Sequence, residues 1–205
     1  MNLDKEINKL IKNVQEKYKV NGEIEKNYSD KIVRGHKCSM STIIENEVTK
    51  FLCNILDDKY KYYIDFTINK RRPDLLIVNA NTNQCELIVE IKANMGYCRT
   101  FDKSMVDNFV NERKIFKNSV KIKQNDENDN DIFIPISGNK DVKMMLVSFT
   151  KNNASQNKHD KIKNKLNKKD IGYYKLFDNW YNGLVESEIR NFVYDLEHVY
   201  GLKLK

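Results

Sequence analysis

Between residues 41 and 93 the spacing of apolar side chains changes period, and that change constrains the fold more than any other feature of the chain. Ile44, Val48, Phe51, Leu52 and Ile55 recur at three- and four-residue intervals behind Ser41-Thr42, which predicts a helix from about 41 to 57. After it the pattern turns strand-like, in runs over 62–69, 74–79 and 85–93. The turn-rich Asn79-Ala80-Asn81-Thr82-Asn83 joins the last two. A helix followed directly by a three-stranded meander predicts an α/β (α+β) chain.

The remaining segments agree with that class. Leu3, Ile7, Leu10, Ile11, Val14 and Tyr18 predict a helix over 3–19, with Asn21-Gly22 as its stop. Residues 103–118 read as a helix whose apolar stripe is Met105, Val106, Phe109, Val110 and Phe116. An acidic polar loop is expected at 124–131, where Asp126 to Asn130 match the start of a calcium loop but Asp131 stands where glycine is needed. A buried strand is expected at 142–149, a basic helix or loop at 158–169 and a further strand at 171–177. The helix from 184 to about 200 either covers the sheet or pairs with a twofold mate. No repeat or long linker interrupts the 205 residues, and with 40% hydrophobic residues they form a single domain with one substantial core.

The formal charge of +7 favours a polyanionic partner, although a Lys- and Asn-rich chain with only 2 Pro and 7 Gly also follows from AT-rich coding. The N-terminus lacks the apolar core of a signal peptide and no window approaches 18 apolar residues, so the expectation is a cytoplasmic protein with no membrane association. Cys38, Cys53, Cys85 and Cys98 form no C-x-x-C pair and read as reduced structural thiols. His36, His159 and His198 have no metal-site or triad spacing.

Chemistry concentrates on the last two strands of the meander. Pro73-Asp74 opens one, and Glu90-Ile91-Lys92 lies on the next. Side chains alternate across a strand, so Glu90 and Lys92 share one face while Leu87, Val89 and Ile91 cover the other. In an antiparallel hairpin Asp74 joins Glu90 only through an odd-length connection or a bulge. A three-residue loop of Asn81, Thr82 and Asn83 puts Asp74 opposite Glu90, whereas a two-residue loop puts it opposite Ile91. Two carboxylates and an ammonium on one face suit phosphodiester hydrolysis. Hard carboxylate oxygens hold magnesium, which orients a phosphate and lowers the pKa of a bound water, while the lysine positions that water, acts as base or stabilises developing charge. Asp74 and Glu90 are then the metal ligands, the Ile91 carbonyl a further one, and Lys92 the cation.

The Pro73-Asp74 and Glu90-Ile91-Lys92 pair behind a glutamate-bearing helix resembles the PD-(D/E)XK nuclease superfamily, and most closely its type II restriction endonucleases. The resemblance spans residues 36 to 101 and includes Met95-Gly96-Tyr97 and Arg99. It implies a restriction-endonuclease-like central mixed sheet flanked by helices and magnesium-dependent cleavage of double-stranded DNA to 5′-phosphates, with manganese able to substitute. A homodimer reading a short palindrome is also implied. Family members often add a carboxylate from the preceding helix. Glu45 and Glu47 flank its apolar stripe on opposite sides, so spacing does not choose between them; the resemblance favours Glu45, while Thr42-Ile43-Ile44-Glu45 also reads as a capping box. DNA contacts are expected from Arg99, from Arg72 beside Arg71, and from Lys161 and Lys163 in the six-lysine run 158–169. For Tyr173-Tyr174, Phe177 and Trp180-Tyr181, core or dimer packing outweighs base stacking. Two alternatives stand beside this reading. One is a structure-specific or nonspecific nuclease with the same site, and the other a noncatalytic DNA-binding protein in which Glu90 and Lys92 are a surface pair.

Overall fold

A computed structural model of the chain describes residues 1–27, 40–64, 66, 68, 71–92, 103–125, 131–148, 156–179 and 183–205. Two helices, α1 (Leu3–Asn27) and α2 (Met40–Ile55), precede an antiparallel meander of β1 (Tyr60–Ile64), β2 (Leu75–Asn79) and β3 (Gln84–Lys92). The chain continues through α3 (Lys103–Ile115), the hairpin β4 (Val120–Asn125) and β5 (Asp131–Ile136), β6 (Lys143–Ser148), α4 (Gln156–Asn167) and β7 (Ile171–Lys175). A small pair, β8 (Phe177–Asn179) and β9 (Gly183–Leu184), leads into α5 (Glu186–His198). The main sheet has the order β1-β2-β3-β6-β7, antiparallel across its first three strands and parallel from β3 to β7. The architecture is therefore a mixed α/β fold, a five-stranded mixed sheet flanked by helices.

The alternation of side chains along the strands sorts the core into two clusters. Leu75, Ile77, Leu87, Val89, Ile91, Met145 and Val147 pack with α1, α2 and α5 on one side. Leu76, Val78, Ile88, Met144 and Leu146 pack with α3, α4 and the β4–β5 hairpin on the other. Each such fully buried aliphatic side chain contributes about 1.5–3 kcal/mol of transfer free energy. Because β3 is the middle strand with a helical layer on both sides, the face carrying Glu90 is covered, in contrast to the half-exposed strand that alternating charges suggest. α5 settles its two options by covering the sheet, with Ile189, Phe192, Val193 and Leu196 in the first cluster.

Several boundaries depart from expectation. α1 runs through Asn21-Gly22 to Asn27, since one internal glycine costs a helix only about 1 kcal/mol and no proline follows it. β1 is shorter and earlier than the predicted 62–69. The expected loop at 124–131 is the end of a hairpin: Gln124 and Asn125 pair with Ile132 and Asp131, and Asp126 to Asn130 lie outside the described residues. The basic stretch after residue 156 is helical, with its lysines outward and His159, Ile162 and Leu166 buried. His159 is bound through Nδ1 to the Tyr173 hydroxyl on β7, and Tyr174 packs edge-on against Phe192, which bears out core packing for these two tyrosines. Among the described residues no helix is long and apolar enough to cross a membrane.

Candidate active site

Whether Asp74 meets Glu90 depends on the register of β2 against β3, and the structure reaches that register by a different route from a three-residue loop. Asn79 pairs with Gln84 and Val78 with Cys85, leaving the four residues Ala80 to Asn83 as the connection. Asn83 closes this turn at φ 55°, a left-handed conformation that asparagine tolerates, and its amide donates to the Asn79 carbonyl at 2.7 Å. An even connection alone would place Asp74 opposite Val89, on the wrong face. The register then shifts between Ile77 and Val78, so that Ile77 pairs with Leu87 and Leu75 with Val89. Glu86 is the extra residue of this bulge, held by the Asn79 and Asn139 side-chain amides. Its signature is that Cys85 and Leu87, two apart, lie in opposite core clusters. Continued one step, the shifted register sets Asp74 against Glu90.

Asp74 sits just beyond the end of β2, where its carboxylate takes the place of a ladder acceptor. Its Oδ2 accepts the Ile91 amide N–H at 2.6 Å and the Lys92 ammonium at 3.3 Å. Lys92 Nζ also donates to Glu90 Oε1 in a very short contact. The Ile91 amide thus ties the backbone to the cluster. Glu90 is 9% exposed, while the side chains of Asp74 and Lys92 retain 18% and 28%, so the group opens to solvent on the Asp74–Lys92 side. Burial pushes the Glu90 carboxyl above its ordinary range, against the pull of Lys92 and with the push of Asp74. For Lys92, burial acts to lower the pKa, but the charges of Glu90 and Asp74 outweigh it and hold the ammonium firmly protonated. Lys92 is therefore a cation in this arrangement.

A fourth charged group stands close by that the sequence reading passed over. Glu112 on α3 is 7% exposed, and among the described residues its Oε1 has no hydrogen-bond partner. Burial, then the negative charges of Glu90 and Asp74, push its carboxyl up to about 7, partly offset by Arg71 and Lys92. A signal for it exists: on a helical wheel Met105, Phe109, Glu112 and Phe116 fall within about 60°, so Glu112 stands at the edge of the apolar stripe.

The remaining predicted site residues are distributed elsewhere. Glu45 is buried near the start of α2, in the layer packed on the far side of the sheet from Ile88. α2 already begins at Met40, so Thr42 lies inside the helix and does not cap it as the Thr42-to-Glu45 pattern suggests. Glu47 joins α1 to α2, accepting from Asn13 Nδ2 at 2.8 Å and Lys50 Nζ at 2.9 Å. Arg72 is exposed two residues before Asp74, and neighbouring Arg71 donates to Asn108 Oδ1 of α3 at 3.2 Å. Arg99, with Met95-Gly96-Tyr97, lies outside the described residues. Lys161 is exposed on α4. Lys163 lines a cavity of about 580 Å³ with Arg113, Lys117, Lys140 and Lys143. Lys143 begins β6, whereas Lys92 pairs with Ser148 at its end, so Lys143 on the cavity wall and Lys92 in the carboxylate cluster stand about 17 Å apart along the strand direction. The structure thus unites Asp74, Glu90 and Lys92 at the carboxyl ends of the parallel strands, the end where ligands bind in such sheets.

Among the described residues no three His, Cys, Asp or Glu side chains converge to hold a metal ion. Two carboxylates do converge, and magnesium commonly takes only one or two from a protein, filling its shell with water and substrate phosphate. The donor set, all hard oxygen, fits such an ion. Comparison with protein-family models, with curated proteins and with solved structures finds no match to this chain.

Proposed function

We propose that the chain is a magnesium-dependent endonuclease for double-stranded DNA, of the PD-(D/E)XK type and read most specifically as a type II restriction endonuclease. The observation that carries this reading is the convergence of Asp74, Glu90 and Lys92 from two strands whose register requires a bulge. A surface ion pair accounts poorly for the cluster, because Glu90 is buried and the three groups carry an excess negative charge. Sequestering uncompensated charge costs several kcal/mol, a cost that a bound cation would offset. The mixed sheet with helices on both faces is in keeping with the restriction-endonuclease-like core that the resemblance implies.

In this reading Asp74 and Glu90 would hold the divalent ion, which when bound supplies Lewis-acid charge beside a phosphate. Asp74 is oriented for that task by the Ile91 amide and Lys92, and Glu90 by Lys92. Lys92, kept protonated, donates hydrogen bonds toward the scissile phosphate or the attacking water and stabilises charge developing on the phosphoryl oxygens. The formal charge of +7 supplies attraction for the DNA backbone. A homodimer would present two such sites to the two strands.

Incubation of the purified protein with a panel of plasmids and magnesium or manganese tests the reading. Discrete fragments with 5′-phosphate ends are expected. Asp74→Ala and Lys92→Ala, folded by circular dichroism, should cut at least about 10²–10³-fold more slowly. A smear, or cutting confined to branched substrates, assigns a nonspecific or structure-specific nuclease; intact DNA under all conditions removes the nuclease reading.

A further inference from the structure

The buried carboxylate of Glu112 accepts no hydrogen bond at Oε1 among the described residues, and its position is fixed by geometry independent of its charge. Asn108 and Glu112 are four residues apart on α3 and so share a face of the helix. Asn108 is tied to Arg71, three residues before Asp74. On the same helix Val106 and Phe109 pack in the cluster that contains Leu76 and Ile88, the neighbours of Asp74 and Glu90 on their shared face. α3 thus lies over the carboxylate cluster, with Glu112 toward it and Oε1 unpartnered. A third acidic side chain there makes the cluster more anionic, with Lys92 and Arg71 opposing it among the described residues.

We propose that Glu112 is a positioning residue for the divalent cation, an outer-sphere carboxylate that accepts hydrogen bonds from the ion's hydration water while Asp74 and Glu90 contact the ion directly. This rests on the cation-dependent reading of the site given above. The outer-sphere role follows because Glu112 does not converge with Asp74 and Glu90 as a third direct ligand. It also follows from magnesium's retention of water, which needs acceptors when the ion sits against a buried wall.

Calorimetric titration of Mn²⁺ alone into the full-length protein, in metal-free buffer, separates the possibilities when combined with thermal unfolding. Glu112→Gln should unfold at the same or a higher temperature than wild type without metal, because it relieves repulsion and breaks no bond. It should bind Mn²⁺ about 10-fold or more weakly, with a smaller metal-induced rise in Tm, and Glu112→Asp should recover part of the affinity. Unchanged Mn²⁺ affinity in Glu112→Gln, with affinity lost in Asp74→Ala, overturns the Glu112 assignment and leaves the nuclease reading standing. A lowered metal-free Tm with unchanged affinity makes Glu112 a structural residue and likewise overturns it. If Glu112→Gln does not fold, Glu112→Asp decides, and wild-type affinity there overturns the assignment. Wild-type protein that takes up no Mn²⁺ at millimolar concentration overturns both.

Discussion

Burial alone would push the carboxyls of Glu47, Glu90 and Glu112 in the same direction, and their partners separate them. Glu47 is pushed up by desolvation, but hydrogen bonds from Lys50 and Asn13 outweigh it and leave the group below its ordinary range. A carboxyl depressed in the folded state stabilises the protein above its unfolded pKa of about 4.3, and the contribution disappears as pH falls through the folded value. Glu47→Gln should therefore cost about 1–2 kcal/mol at pH 7 by urea unfolding, with the difference from wild type shrinking below about pH 4. An equal deficit at pH 7 and pH 3 would show that shape, not charge, matters there. At this scale Asp74, Glu90 and Lys92 were legible from residue type and order, because carboxylates and an ammonium at alternating positions are chemically distinctive. Glu112 was not, because apolar periodicity does not single out a charged residue at the edge of the stripe, and only packing against β2 and β3 reveals what it faces.

Among the elements, the β2–β3 hairpin matters most to the site, and its register combines an even turn with a bulge. Residues before the bulge follow the turn, and those after it are shifted by one. Excising Glu86 should therefore straighten the ladder without moving Asp74 from Glu90, since Cys85 and Leu87 would become neighbours on opposite faces as ordinary alternation requires. The expected variant folds, loses about 1–3 kcal/mol with the Asn79 and Asn139 contacts, and still binds Mn²⁺. A folded variant without Mn²⁺ binding would mean that the bulge itself shapes the site. The strands were readable from their composition, but nothing in Gln84-Cys85-Glu86-Leu87 marks a bulge. The hairpin of β4 and β5 was hidden similarly, since its polar strand ends resemble the loop they enclose.

For the whole molecule, charge and site lie in different places. The carboxylate cluster is at the Ser148 end of β6, and Lys143, which lines the basic cavity with Lys163, is at its start, so in the proposed function DNA would have to be long enough to reach both. If binding draws on lysines spread over this distance, affinity for duplex DNA should fall linearly in log–log form with salt. With about six phosphate contacts the loss is about 10³-fold between 50 and 200 mM, measurable by fluorescence anisotropy with Asp74→Ala protein. Affinity indifferent to salt would confine the contact to the site itself. By itself the sequence determined the helix–meander order, the one apolar face each of α2 and the strands, and the residue types able to handle a phosphodiester, because these depend on local periodicity and side-chain chemistry. The tertiary structure alone decided that a bulge brings Asp74 onto the face of Glu90, that this face is covered by α3, and that Glu112 lies over it. Those outcomes depend on which backbone groups pair across strands and which helix covers them, and such long-range choices leave no periodic mark in the chain.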